Sequence, residues 1–156
     1  MNALFEAAKE VGEFMAAQGW GDEEPYVTAI LGRFESRIPD GREFALTRRV
    51  LLIRASNGND VDIALGALPF EAGMVRRAVP VEFAAGLILP CCTAEDLFIM
   101  KSFAARPRDW LDAESIVSRQ MTLDSDYILA CLSDLCELKD TPEILERAKR
   151  LLTEKP

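Results

Sequence analysis

Two groups of residues in this chain have the types and spacing that chemistry requires. Asp60 and Asp62 stand in NDVDIALG, and Lys101, Arg106, Arg108, Asp109 and Asp112 stand in FIMKSFAARPRDWLDAE. Carboxylates two residues apart on a strand share one face. That is the arrangement by which a DxD pair grips a divalent cation with hard oxygen ligands. Asp60 also reads as a solvated residue opening a strand beside a turn, whereas Asp62, in mid-strand, needs a partner or a metal if helices cover its face. Lys101 has Leu97 one turn before it and Ala104 one turn after. On so apolar a face the lysine snorkels, pairs with an acid or serves a ligand. Asp109 and Asp112, at i and i+3, share a helix face and can pair with Lys101, Arg106 or Arg108. Such a group is either a structural ion cluster or a seat for a small anion.

The composition removes several classes of chemistry. The chain has no histidine, which excludes Ser-His and Cys-His catalysis, His-ligated zinc and an imidazole base. Its four cysteines are an adjacent pair, Cys91 and Cys92, followed by Cys131 and Cys136. None makes the spaced pairs of a zinc site, and they are expected to be reduced thiols packed as small hydrophobes. With 26 acidic against 18 basic residues the net charge is -8, which repels nucleic-acid backbones and argues against general DNA or RNA binding. A local basic cluster can still hold a nucleotide's phosphates. No apolar run reaches the length of a membrane span, and the N-terminus is acidic and amphipathic, unlike a signal peptide, so a cytoplasmic protein is expected.

The elements that must position these residues follow from periodicity and turn chemistry. At 156 residues one domain is expected over 1–156, with an α/β part at 1–90 and a helical part at 91–156. Leu4, Phe5, Ala8, Val11 and Met15 recur at helical spacing between Asn2 and Gln18, and Gly19-Trp20-Gly21 punctuates the end. Asp22 is placed to cap a second helix with Glu23, Glu24 and Pro25 in its first turn. Glu43 to Leu46 reads as a short strand. Val50–Ala55 and Asp60–Leu65 read as a hairpin closed tightly at Asn57-Gly58. Val61, Ile63 and Leu65 then share one face and Asp60, Asp62 and Ala64 the other. A short helix is expected near Glu71–Arg76, further strands at Val79–Phe83 and Gly86–Leu89, and after Pro90 only helices. Thr93 and Asp96 have capping-box spacing, Pro107 separates two helices, and Thr141-Pro142 opens the last. The expected fold class is therefore α+β, with a small mixed or antiparallel sheet followed by a C-terminal helical region.

The order VDIALG, then PFE, then two short strands, then TAEDLFIMKSFAARPRDWLDAE resembles the nucleotidyltransferase-fold proteins of the abortive-infection and toxin–antitoxin type, over about Arg42 to Ile116. The resemblance implies metal-dependent transfer of a nucleoside monophosphate using three carboxylates, of which Asp62 matches the third. It gives Asp60 no ligand role. It makes Lys101, Asp109 and Asp112 part of a helical block that supports the site and contacts phosphates, while Arg106 and Arg108 stand with Lys101 as the local basic cluster that can hold a nucleotide's phosphates. The family's strand–turn–helix–strand unit, with its glycine turn and DxD, has no counterpart between Trp20 and Gly21. One carboxylate and a few cations cannot place two metal ions for in-line phosphoryl transfer. The expectation is a truncated, catalytically inactive core that needs no cofactor, with Mg²⁺ or Mn²⁺ required only if it is active. It would bind a nucleotide weakly or a protein partner from the same operon, and would cover its exposed strand edges by homodimerising. Two alternatives stand beside this: an active enzyme completed by Asp60, Asp22, Glu23 or another chain, and a non-enzymatic, antitoxin-like interaction module.

Overall fold

A computed structural model describes residues 2–18 and 22–154. It is an α+β protein of eight helices with a three-stranded and a two-stranded sheet among the described residues. The chain divides into two compact units. The first runs to Ala72 and includes Pro80–Cys91; the second holds Gly73–Val79 and everything from Cys92.

In the first unit, α1 (Asn2–Gln18) buries Ala7 and Val11 one turn apart. The punctuation expected at Gly19-Trp20-Gly21, and the site of the absent unit, lie outside the described residues. In α2 (Glu23–Arg33) the first-turn acids and the last-turn arginine oppose the helix dipole. Asp22 occupies the N-cap position in extended backbone, but its side chain makes no cap hydrogen bond. Val27, Ile30 and Phe34 form the buried stripe, and Phe14 meets Phe34 edge to face, centroids 5.5 Å apart. After the two-residue strand β1 (Glu35–Ser36), the segment expected as a strand at Glu43–Leu46 is instead part of a helix, α3 (Gly41–Arg48). Phe44 and Leu46 mimic strand alternation, but Ala45 between them is fully buried and they are only half-buried. The residues that share the inward face are Gly41 and Ala45, four apart. Arg49 ends α3 in left-handed backbone, φ 58°, which costs a non-glycine residue about 1–2 kcal/mol. Its guanidinium offsets this by donating to Glu23 at 2.9 Å, to the Leu65 carbonyl at 2.6 Å and to the Gly66 carbonyl.

Strands β2 (Val50–Arg54) and β3 (Asp60–Ala64) pair antiparallel, Leu52 opposite Asp62 and Arg54 opposite Asp60, and β1 pairs antiparallel on the other side of β2. The sheet order is β1-β2-β3. The hairpin loop is wider than a two-residue turn. Gly58 N–H bonds the Ala55 carbonyl, Ala55 N–H bonds the Asn59 carbonyl, and among the loop residues only Gly58, at φ 83°, has a positive φ. This is the three-residue loop with a glycine bulge, which needs one left-handed residue instead of two. Leu51, Ile53 and Ile63 are buried in a core with Ala7, Val11, Val27, Ile30, Phe34, Ala45 and Ala55, each large side chain contributing about 1.5–3 kcal/mol. The chain then enters α4 (Pro69–Arg77), whose Glu71 carboxylate accepts from the Ala67 and Leu68 N–H groups. Strands β4 (Val79–Ala84) and β5 (Leu87–Cys91) make the second sheet, turning at Gly86 with φ 75°. Phe83 stacks on Phe5 of α1, centroids 4.2 Å apart.

The second unit is built on α5 (Ala94–Ala104), α6 (Pro107–Arg119), α7 (Ser125–Lys139) and α8 (Pro142–Thr153). Thr93 caps α5 by accepting from Asp96 N–H at 3.1 Å, Ala105 closes it with φ 56°, and Pro107 begins α6 where a missing N–H does no harm. Phe98, Ile99, Trp110, Ala113, Val117, Ile128, Leu132 and Ile144 form the core. No helix among the described residues is long and apolar enough to cross a membrane.

Candidate functional site

Asp60 and Asp62 share the open face of the first unit's sheet, as strand periodicity requires. Both are well exposed, their side chains 53% and 63% accessible. The sheet's other face carries the helices, so Asp62 has water where a covered strand would have needed a buried partner. Its carboxylate pairs with Arg37, which follows β1 and is anchored by its own N–H to the Leu52 carbonyl at 3.1 Å. The same guanidinium reaches Asp60 through Nε at 3.4 Å, and Asp60 also accepts from Arg54 Nε at 3.1 Å. A guanidinium thus lies between the two carboxylates, in the position from which a cation would bridge them. Of the acids proposed as substitute ligands, Glu23 is taken by Arg49 at 2.9 Å. Among the described residues no three His, Cys, Asp or Glu side chains converge to hold a metal ion.

Lys101, Arg106, Asp109 and Asp112 come together in the second unit. The Pro107 break sets α6 beside α5 so that Lys101 Nζ donates to Asp112 at 2.7 Å and to Asp109 at 3.4 Å. Arg106 clamps Asp109 with Nε and with Nη2 at 3.2 Å. The Asp112 hydrogen bond above all holds the lysine above its ordinary pKa, although its partial burial opposes this. The Arg106 guanidinium holds the Asp109 carboxyl below its own. Two cations and two carboxylates make the cluster internally neutral. Arg108 is exposed on the first turn of α6, outside these pairs. Asp62 belongs to the other compact unit.

Sequence reasoning passed over the most buried charge. Asp96, read as a cap residue, is fully buried. Its carboxylate accepts from Arg77 Nε at 3.1 Å, Arg77 Nη2 at 2.7 Å and the Tyr127 hydroxyl at 2.7 Å. Burial alone would raise its pKa, yet these bonds prevail and hold it below the ordinary carboxylate range. Burial, then the bond to Asp96, pushes the Tyr127 phenol up. Arg77 also lies over the Tyr127 ring, 5.2 Å from its centroid. The signal was an aspartate three residues into an apolar helix, AEDLFIM. Arg37 left no local signal, because only the β1–β2 pairing brings it to Asp62.

The chain matches no protein-family model, and no curated protein matches it.

Proposed function

We propose that this chain is a catalytically inactive relative of the nucleotidyltransferase-fold proteins that acts by binding a protein partner. The observation that carries the reading is Arg37, whose guanidinium occupies the space between the Asp60 and Asp62 carboxylates. A metal ion there would first have to displace a positive charge already held by both acids. Nucleotide capture at the helical block is the weaker branch of the reading, because Lys101 and Arg106 already face Asp112 and Asp109 and offer a phosphate little uncompensated charge. The acidic balance of the whole chain points the same way.

The test is incubation of the full chain with labelled nucleoside triphosphates, Mg²⁺ or Mn²⁺, and RNA or protein acceptors. No label transfer is expected. Robust transfer abolished by Asp62→Ala would instead establish the active enzyme. A variant that frees the carboxylates, Arg37→Ala, separates an occupied site from an absent one. If inactivity reflects only the guanidinium, metal binding and transfer return in that variant.

A further inference from the structure

β3 ends its sheet, and the pairing pattern fixes which of its backbone groups are left over. Leu65 N–H bonds the Arg49 carbonyl at 2.9 Å and Ala55 N–H bonds the Asn59 carbonyl at 2.9 Å. In the register between them, Val61 and Ile63 direct both backbone groups at β2, so Asp60, Asp62 and Ala64 direct theirs away from the sheet. All three residues are exposed, and none of their outward groups has a partner among the described residues. Proteins usually close such an edge.

We propose that this edge takes an extended segment of another protein in which basic and apolar residues alternate, adding a strand beside β3. Three outward N–H groups and three outward carbonyls supply the ladder. On the helix-covered face the newcomer meets Val61, Ile63 and Leu65, of which Val61 and Leu65 are only partly buried, so its apolar residues extend an unfinished layer. On the open face it meets Asp60 and Asp62. Arg54 and Arg37 approach these from the β2 side and balance their charge, but Arg37 engages only Oδ1 of Asp62, whose side chain is 63% accessible. Among the described residues its Oδ2 is open to accept from a basic residue opposite it, and the chain's net charge of -8 favours such a partner. A second copy fits less well. Its outward residues must pair with outward residues, and antiparallel registers centred on Asp62 or Val61 set carboxylate opposite carboxylate. The register centred on Ile63 avoids this but pairs Asp60 with Gly66, where the strand has already turned away.

This inference rests on reading the chain as a binding module and gives that module a surface. The probe is a fluorescein-labelled Lys-Val-Lys-Ile-Lys-Val-Lys peptide titrated with the full chain, against Glu-Val-Glu-Ile-Glu-Val-Glu, while amide exchange is followed residue by residue. The basic peptide is expected to bind, less tightly as salt is raised, and to slow exchange at Asp60, Asp62 and Ala64. Ala64→Pro removes an outward N–H without touching the β2 ladder and should weaken binding about tenfold. Asp62→Asn, which keeps the fold's shape, should weaken it severalfold. Binding that ignores Ala64→Pro and leaves the three amides unprotected is non-specific charge attraction and overturns the proposal. So do protection of those amides in the free protein and twice the 17.3 kDa chain mass in light scattering, since a second copy would then hold the edge. Label transfer would refute inactivity while leaving edge binding intact, so the two failures are distinguishable.

Discussion

Replacing Asp96 with alanine should destabilise the helical unit by about 3 kcal/mol. The carboxylate has no solvent exposure and joins three elements, because Arg77 comes from α4, Asp96 from α5 and Tyr127 from α7. Removing one partner of a buried pair costs about 3–5 kcal/mol when the other charge is trapped. The Arg77 side chain is 40% accessible and can turn to water, which places the loss at the lower end. The Tyr127 hydroxyl, half-buried, loses its acceptor and keeps the deficit from vanishing. Urea unfolding followed by Trp110 fluorescence in a Trp20→Phe background reads the change. The pH dependence is the sharper check. Because the folded carboxyl lies below its ordinary 3.8, the unfolded chain takes up the proton first as pH falls. The stabilisation is complete above the unfolded pKa and disappears as pH drops through the lower folded value. The gap between wild type and Asp96→Ala should therefore be flat near neutrality and begin to close only below about pH 4. A loss under about 1 kcal/mol, or a gap still unchanged well below pH 4 while both proteins remain folded, would refute the argument.

Other substitutions test the supports of the first unit. A Cβ on Gly41 would sit 2.0 Å from Ser36 Oγ and 3.0 Å from Ser36 Cβ, so Gly41→Ala should cost about 1–3 kcal/mol, most of it recovered with Ser36→Gly in a urea double-mutant cycle. Glu71→Ala removes the acceptor for two backbone N–H groups at the entry to α4 and should cost about 1–2 kcal/mol, with faster amide exchange at Leu68. Asp62→Asn, breaking an exposed ion pair, should change stability by less than about 1 kcal/mol, and less still in high salt.

The elements were legible where one local pattern governed. The α1 stripe, the β2–β3 alternation, Thr93 before α5 and Pro107 between α5 and α6 each follow from a few neighbouring residues, and the structure has them at nearly the expected positions. The α3 segment was misread because Phe44 and Leu46 satisfy a period of two while the burial that decides the matter falls on Ala45. The cap at Arg49, in left-handed backbone, is settled by contacts distant in sequence, to Glu23, Leu65 and Gly66. The candidate sites were legible in residue type and not in environment. Asp109 and Asp112 share a helix face and pair with Lys101, one of the partners their spacing left open. The partners that decide what the carboxylates can do, Arg37 for Asp62 and Arg77 with Tyr127 for Asp96, approach from 25, 19 and 31 residues away.

The contrast between those two aspartates shows which physical quantity sequence periodicity lacks. Both sit in apolar surroundings along the chain, Asp62 between valine and isoleucine, Asp96 before leucine and phenylalanine. Periodicity assigns each to a face, yet the energetic consequence depends on what covers that face. The sheet is covered on one side only, so Asp62 keeps its water and its ion pair is worth little to stability. Helix α5 buries residues on several sides, Asp96, Phe98, Ile99 and Ser102 among them, so its aspartate survives only because three donors replace the water it lost. Exposure makes Asp62 replaceable in the fold and available for recognition at the β3 edge. Burial makes Asp96 costly to remove and unavailable for chemistry. The carboxylate that resembled a catalytic ligand is thus the one a partner can reach, and the one that resembled a helix cap ties three helices together.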